Sequence, residues 1–380
     1  MRVLAIGACS DIAHNKFTGQ SVMFDGIVSE LKKQDNKVTV INIASKVSRK
    51  TYIRMFEYAI VLAQELWYLL TGKYDLGYIT TAQSKRGFIR DYFMIKIFKL
   101  FNVKVICHQY GANYRQLLSS LKPKGFKRLV KMLEWVSSII VEGRYMKEQY
   151  SFLDDYENKV RIVPNGLPYV GPNALKPKEY DSNTSFKLYY LSNLIWSKGY
   201  FDVLQAVNLL INKYNKNIEC VFAGTFMSSP DDKRTGISNK EDFDTYVKEH
   251  HLEDKIKYYP GMYGDEKDKM FSKSHVFLLP TYYINEGQPV SIIEAMAYGC
   301  VPIVTEYRHI PMMVSKENGI FVDSEKPESI AINICKLMEF PDIYKRKSEA
   351  CIRDYQNKFS FEKFSSQVIS CMTEVTNKGR

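Results

Sequence analysis

Two glutamates eight positions apart, Glu286 and Glu294, bracket what reads as the start of a helix, and they are the residues of this 380-residue chain best placed to do chemistry. The segment is Asn285-Glu-Gly-Gln-Pro-Val-Ser-Ile-Ile-Glu-Ala-Met-Ala-Tyr-Gly-Cys-Val-Pro-Ile-Val304, and it follows an apolar run at 276–280 that reads as a strand. Gly287 lets the backbone approach a ligand closely. Pro289 suits the first helical position, where its missing N–H costs nothing. The pattern predicts a helix to about Tyr298, stopped by Gly299. The stretch from Gly287 through Gln288, Pro289, Val290 and Ser291 is then a helix start, where free N–H groups and the positive end of the dipole make an anion site suited to phosphate. Glu286 precedes the helix, Glu294 lies roughly 6 Å inside it along the axis, and Ser291 shares the face of Glu294. One carboxylate at the mouth and one a turn deeper can grip hydroxyls on either side of a diphosphate.

The elements that must position these residues alternate. Short β-branched runs at 3–7, 37–43, 76–80, 104–108, 138–141 and 160–163 read as strands, separated by helical patterns near 19–33, 51–71, 85–101, 122–136 and 144–151. A breaker-rich stretch, Pro164-Asn-Gly-Leu-Pro168, then Gly171, Pro172 and Pro177, reads as a linker. A second series follows, with strands at 187–192, 219–223, 256–259, 276–280 and 301–305 and helices near 199–214, 238–250, 265–273, 289–299, 327–339 and 341–356. A last helix spans about 361–376. This alternation is the sign of parallel sheets with crossover helices. The fold class is α/β, with two doubly wound Rossmann-like domains facing across a cleft. Residues 1–170 form the first, 171–355 the second, and a C-terminal helix at 356–380 is expected to pack back on the first. Ligands in such sheets bind at the carboxyl ends of strands, so the cleft is the default site.

Composition excludes other classes. Hydrophobic residues at 45% and charged residues at 25% rule out wholesale disorder, collagen and a disulfide-stapled miniprotein. The seven cysteines form no CxxC pair, so neither a zinc knuckle nor a redox motif is present, and a reducing compartment fits. The most lipid-like stretch, 55–70, contains Glu57, Gln64 and Glu65 and is not a spanning helix. The chain is expected in the cytosol. Its net charge of +11 calls for an anionic partner. Residues 84–147 alone hold fourteen basic and three acidic side chains, so the rest of the chain is neutral on balance. Phe88, Tyr92, Phe93, Phe98, Phe101, Tyr110, Tyr114, Phe126, Trp135 and Tyr145 are interleaved there. Such a face could dock on anionic lipid headgroups. A nucleic-acid surface would share the composition, and so would a solvated helix face over core aromatics.

The context of Glu286 and Glu294, EGxPxSxxEAMAxGxVPIV, resembles glycosyltransferase family 4, whose members are retaining, metal-independent enzymes of the GT-B fold. The resemblance covers nearly the whole chain. It implies that Glu294 holds the nucleotide ribose and that Glu286 sits by the transferred sugar. Leu191-Ser-Asn-Leu-Ile-Trp-Ser-Lys-Gly199 is similar to the family's segment after the first strand of the second domain, and Lys198 matches its basic contact to the diphosphate. Asn193 departs from the arginine common there and could donate a neutral hydrogen bond instead. Lys16-Phe-Thr-Gly-Gln-Ser21 matches the loop after the first strand, with one glycine, Gly19, where two are common. His108, at the end of the fourth strand, matches a histidine beside the donor sugar, and Pro164-Asn-Gly166 matches the hinge.

The expected activity is therefore glycosyl transfer with retention, moving a hexose or acetamidohexose from a nucleotide sugar, UDP-sugar favoured, to a lipid-linked or saccharide acceptor. Glu286, His108 and Lys198 are the catalytic candidates, and closure about 165–175 would exclude water. No cofactor and no metal are expected. Asp242-Phe-Asp244 lies in a polar helical stretch and reads as surface, and His250-His251 lacks ligand partners at metal spacing. Gly7-Ala-Cys-Ser-Asp11 lacks the glycine pattern of a dinucleotide site. By analogy with the family, the setting is capsule, O-antigen or exopolysaccharide assembly at the inner face of the cell membrane. The partners are then the donor, the acceptor and an anionic membrane surface, with no nucleic acid expected. Base recognition is placed around Gly224 and 259–262. Three rivals remain: a sugar-nucleotide epimerase on the same fold, a nucleic-acid-binding protein using the basic face, and a catalytically silent partner subunit.

Overall fold

Runs such as Val3-Leu-Ala-Ile6 and Ile139-Ile-Val141, apolar at every position, suit strands covered on both faces, and the central strands of both sheets are built that way. The structure is a computed structural model that describes residues 1–10, 19–43, 51–111, 114–229 and 233–378. The chain divides into two compact units, one made of Met1–Pro168 with Phe361–Arg380, the other of Tyr169–Ser360.

The first unit runs β1 (Arg2–Gly7), α1 (Gly19–Lys33), β2 (Lys37–Asn42), α2 (Thr51–Thr71), β3 (Leu76–Thr80), α3 (Lys85–Leu100), β4 (Lys104–Gln109), α4 (Tyr114–Ser120), α5 (Pro123–Trp135), β5 (Ser138–Val141), α6 (Arg144–Glu148), α7 (Tyr156–Lys159) and β6 (Val160–Ile162). Its strands are parallel in the order β2-β1-β3-β4-β5-β6. The second unit runs β7 (Phe186–Leu191), α8 (Tyr200–Asn208), β8 (Ile218–Ala223), α9 (Gly236–Glu249), β9 (Ile256–Tyr259), α10 (Gly264–Lys273), β10 (Val276–Leu279), α11 (Val290–Ala297), β11 (Val301–Thr305), α12 (Ile310–Met313), β12 (Ile320–Val322), α13 (Pro327–Glu339) and α14 (Pro341–Asp354). Its parallel order is β12-β11-β10-β7-β8-β9. The last helix, α15 (Phe361–Asn377), returns to the first unit, where Phe364, Val368 and Met372 join Phe24 and Ile27 of α1 in one core cluster. Residues 356–360 stay with the second unit, anchored by the buried Phe359.

Local signals end the helices where the sequence implies. Ser84 caps α3 by accepting from the Gly87 N–H, Thr235 and Ser238 form a capping box on α9, and Gly299 takes a left-handed φ of 65° after α11. Pro289 departs from its expected place. Its ψ of 106° is extended, so it caps α11, and Val290 is the first helical residue. The breaker-rich stretch is also no free linker. Leu175 N–H donates to Ala297 O at 2.8 Å and Lys178 N–H to Ser348 Oγ at 2.8 Å, so residues 171–178 are strapped to α11 and α14.

The basic stretch of the first unit is layered differently from a mixed cationic and aromatic face. Phe88, Phe98 and Tyr114 are buried, and Tyr92, Phe101, Phe126 and Trp135 pack against the same core. Of these interleaved aromatics Phe93 is exposed. Arg90 is buried as well, paired with Asp91 at 2.6 Å and lying over the Tyr58 ring.

Glu65 on α2 is buried in this core at an electrostatic cost. It is fully enclosed, and among the described residues neither carboxyl oxygen has a hydrogen-bond partner. Burial pushes its pKa up from 4.5 to about 9. The unfolded chain loses this proton near pH 4.5 and the folded one near pH 9, so folding is penalised progressively as pH rises between those values. Glu65→Gln is therefore expected to stabilise the protein by a few kcal/mol at pH 8 and by much less at pH 4.5, measured by urea unfolding at both. An equal effect at the two pH values would contradict a neutral buried carboxyl.

Candidate active site

The carboxyl end of β10 and the first turn after β7 meet in the second unit, and glycine makes the approach possible. Gly199 has φ of 74°, and a Cβ there would lie 2.4 Å from Pro280 O. Gly224, after β8, leaves equally little room against Ser192 O. Tyr282 N–H donates to Ser197 O at 2.8 Å, tying the 281–283 loop to the 3-10 turn Trp196–Lys198. The buried Tyr190 hydroxyl donates to Lys198 O at 3.3 Å from beneath.

This clamp sets Lys198 against Glu286. The Glu286 carboxylate is buried, accepts from Thr281 Oγ1 at 2.8 Å, and lies 3.5 Å from Lys198 Nζ. The ammonium also sits 5.3 Å from the centre of the Tyr283 ring. Thr281 is held in turn by Thr305, whose hydroxyl donates to Thr281 O. Gly287, Gln288 and Pro289 lead from Glu286 into α11, with Val290 and Ser291 in its first turn. Acidic mouth, lysine and helix start are thus contiguous.

Glu294 is held separately, one turn into α11, where Lys267 of α10 donates to it at 2.6 Å. Burial pushes the Glu294 carboxyl up, and the Lys267 ammonium opposes that shift. Asn193 stands exposed beyond β7, its carbonyl accepting from Ile195 N–H at 2.9 Å. Around the expected base site, Gly224 O accepts from the Tyr258 hydroxyl at 3.1 Å, and Met262 Sδ accepts from the Tyr189 hydroxyl at 3.4 Å.

The first unit carries the other two candidates. His108 is the last residue but one of β4 and is completely enclosed. Its ring stacks on Tyr110 with centroids 4.2 Å apart, Nδ1 lies 2.7 Å from the Tyr78 hydroxyl, and Nε2 has no hydrogen-bond partner among the described residues. Burial lowers its pKa to about 3, so the imidazole is neutral at any working pH. Gly19 begins α1, exposed, with nothing within 4 Å of an added Cβ. Lys16, Phe17 and Thr18 of its loop lie outside the described residues. Nearby, Glu142 after β5 accepts from Gly111 N–H at 3.2 Å and from the Asn165 side chain at 3.0 Å.

Thr281, Tyr283 and Lys267 are site residues that the sequence reading missed. Thr281 follows a strand directly and could have been flagged by position, whereas nothing local marks Lys267. Asp242 and Asp244 lie on α9 opposite Arg234 and Lys240. Among the described residues no group of three or more His, Cys, Asp or Glu side chains is arranged to hold a metal ion.

The backbone approach gives a direct test. Gly199→Ala places a Cβ in a left-handed conformation and against Pro280 O, and is expected to cost at least about 2 kcal/mol in urea unfolding. A loss below about 0.5 kcal/mol, the range of an ordinary surface substitution, would contradict the described clamp.

Comparison with known proteins bears on the fold and on the second unit. No curated protein matches the sequence. Among solved structures, sucrose-phosphate synthase from Thermosynechococcus elongatus is 14% identical with a TM-score of 0.73, all of both chains being covered. The Anabaena protein Alr3699/HepE in complex with UDP is 11% identical with a TM-score of 0.69, over 98% of this chain and 100% of that one. The lipopolysaccharide outer core galactosyltransferase WaaB, in its apo form, is 13% identical with a TM-score of 0.64, over 97% and 99%. The two Rossmann-like sheets thus belong to the GT-B fold class. Residues 173–354, almost the whole second unit and all of the Lys198, Glu286 and Glu294 constellation, match the family of glycosyl transferases group 1.

Proposed function

We propose that the chain is a retaining glycosyltransferase that takes a sugar from a UDP-sugar and transfers it to a lipid-linked or saccharide acceptor. The observation that carries this reading is the Lys198–Glu286 pair at the start of α11. A helix N-terminus and a half-buried ammonium form a positive pocket in which charge developing on a leaving diphosphate is stabilised without reorganisation. Glu286, aligned by Thr281, accepts a hydroxyl of the donor sugar. Glu294 accepts the ribose hydroxyls, with Lys267 favouring its ionised form. UDP is the favoured nucleotide because a structural relative, Alr3699/HepE, has been solved with UDP and with UDP-glucose.

In the proposed reaction the bond between the sugar's C1 and the β-phosphate oxygen breaks, and the acceptor oxygen bonds to C1 on the same face. The acceptor proton passes to that phosphate oxygen. Lys198 and the N–H groups of α11 supply the positive charge, so the proposal requires no metal. His108, enclosed and kept neutral by burial, supplies no acid in this reaction. Polysaccharide assembly at the cell surface fits such an acceptor.

A thermal-shift panel of UDP, GDP, ADP and CMP tests the donor site. UDP at about 100-fold its dissociation constant should add roughly 2.7 kcal/mol of stability. Glu294→Ala should abolish the shift. No stabilisation by any nucleotide would overturn the reading.

A further inference from the structure

The outer surface of the first unit is graded from apolar to cationic, and we infer that it docks on an anionic lipid bilayer through α2 and α3. The two helices pack against each other, and α5 packs on the far side of α3. All three cover the same core. On α2 the described solvent side, from Met55 on, is mostly apolar, with Gln64 among its exposed polar side chains. Phe56 (69% exposed), Ile60, Trp67 (64%) and Leu70 (65%) recur at intervals of four, seven and three residues along one stripe, with Met55 and Leu66 beside them. On α3 the outward stripe mixes both characters: Ile89, Phe93 and Leu100 (73%) alternate with Arg86, Lys96 and Lys99. On α5 it is cationic, with Lys124, Lys127, Arg128 and Lys131 exposed.

No Asp or Glu of α2 or α3 is exposed: Glu65 and Asp91 are buried and Glu57 is half-buried. A soluble surface does not ordinarily leave a contiguous stripe of large apolar side chains in water. A helix face of this kind lies in the plane of a membrane with its apolar side among the headgroups, and lysines beside it bind anionic lipid. An exposed tryptophan suits that interface. Among the described residues no helix is long and apolar enough to cross a membrane, so the helices would lie on the bilayer. Charge decides against a second copy as the occupant. A two-fold contact through this face would set the cations of α3 and α5 against their own copies. The aromatics counted in the basic segment are mostly core, so the inserting groups come from α2 and the charge from α3 and α5. The inference extends the lipid-linked-acceptor reading, on which it rests for its biological sense, while vesicle binding and nucleotide binding succeed or fail independently.

The test is co-sedimentation of the full chain with vesicles at low salt. Phosphatidylcholine vesicles containing phosphatidylglycerol should bind the protein at least about tenfold more tightly than phosphatidylcholine alone, and salt should weaken the binding. The double variant Phe56→Glu/Trp67→Glu, altered only at exposed positions, should lose about tenfold or more with an unchanged unfolding midpoint and an unchanged response to UDP. Lys96→Glu/Lys99→Glu should lose a similar factor on anionic vesicles. Absence of wild-type binding, or equal binding by the Phe56/Trp67 variant, would overturn the inference. A wild-type dimer that becomes a monomer in that variant, with no vesicle binding by either, would also overturn it in favour of a second copy.

Discussion

A carboxylate removed from water costs several kcal/mol unless opposite charge and hydrogen bonds replace its hydration, and the site of this protein is arranged around that constraint at Glu286. Thr281 supplies the hydrogen bond and Lys198 the charge. Neither partner could be where it is without the close approach of the 196–199 turn to Pro280, which Gly199 alone permits. The same arrangement leaves a cation and a helix start side by side, ready for a ligand more strongly anionic than Glu286. Ion pair, glycine and helix terminus therefore act as one unit.

The first unit shows the contrary case. Glu65 is buried with no hydrogen-bond partner among the described residues, and the physical outcome is a neutral carboxyl instead of a paired one. Arg90 and Asp91, adjacent in sequence and both buried, neutralise each other. Charges of the inner layer are thus cancelled locally, while those of the outer layer on α3 and α5 are all positive and uncancelled by exposed acids except Glu134 at the end of α5. A surface built this way presents a positive field and an apolar stripe side by side.

Much of this was legible in the sequence because the governing signals are local. Strands such as 3–7 and 139–141 announce themselves as unbroken apolar runs, and the helix after 289 by its proline and Gly299. β12 is not legible because the short run Ile320–Val322 sits between Asn318-Gly319 and Asp323, breakers that make it read as part of a loop. Pro289 was placed one position too deep, because its ring fixes φ but not the ψ that decides where the helix begins. The aromatics of 84–147 could not be assigned to a face from composition alone, since helical spacing puts a residue on a stripe without saying which stripe meets the core. The Lys267–Glu294 pair joins different helices and depends on tertiary packing that no motif encodes.

The central claim is that Lys198 and Glu286 form the part of the donor site that acts on the sugar–phosphate bond. The most direct measurement is the rate of UDP release from a panel of UDP-sugars, with wild type, Lys198→Ala and Glu286→Gln. The account predicts slow turnover of one donor by the wild type even without acceptor, reduced about 100-fold or more in Lys198→Ala because a positive group that meets developing charge is lost. It also predicts a reduced rate with nearly unchanged UDP affinity in Glu286→Gln. Turnover that is equal in all three proteins, or no donor consumed by the wild type while UDP binds, would contradict it.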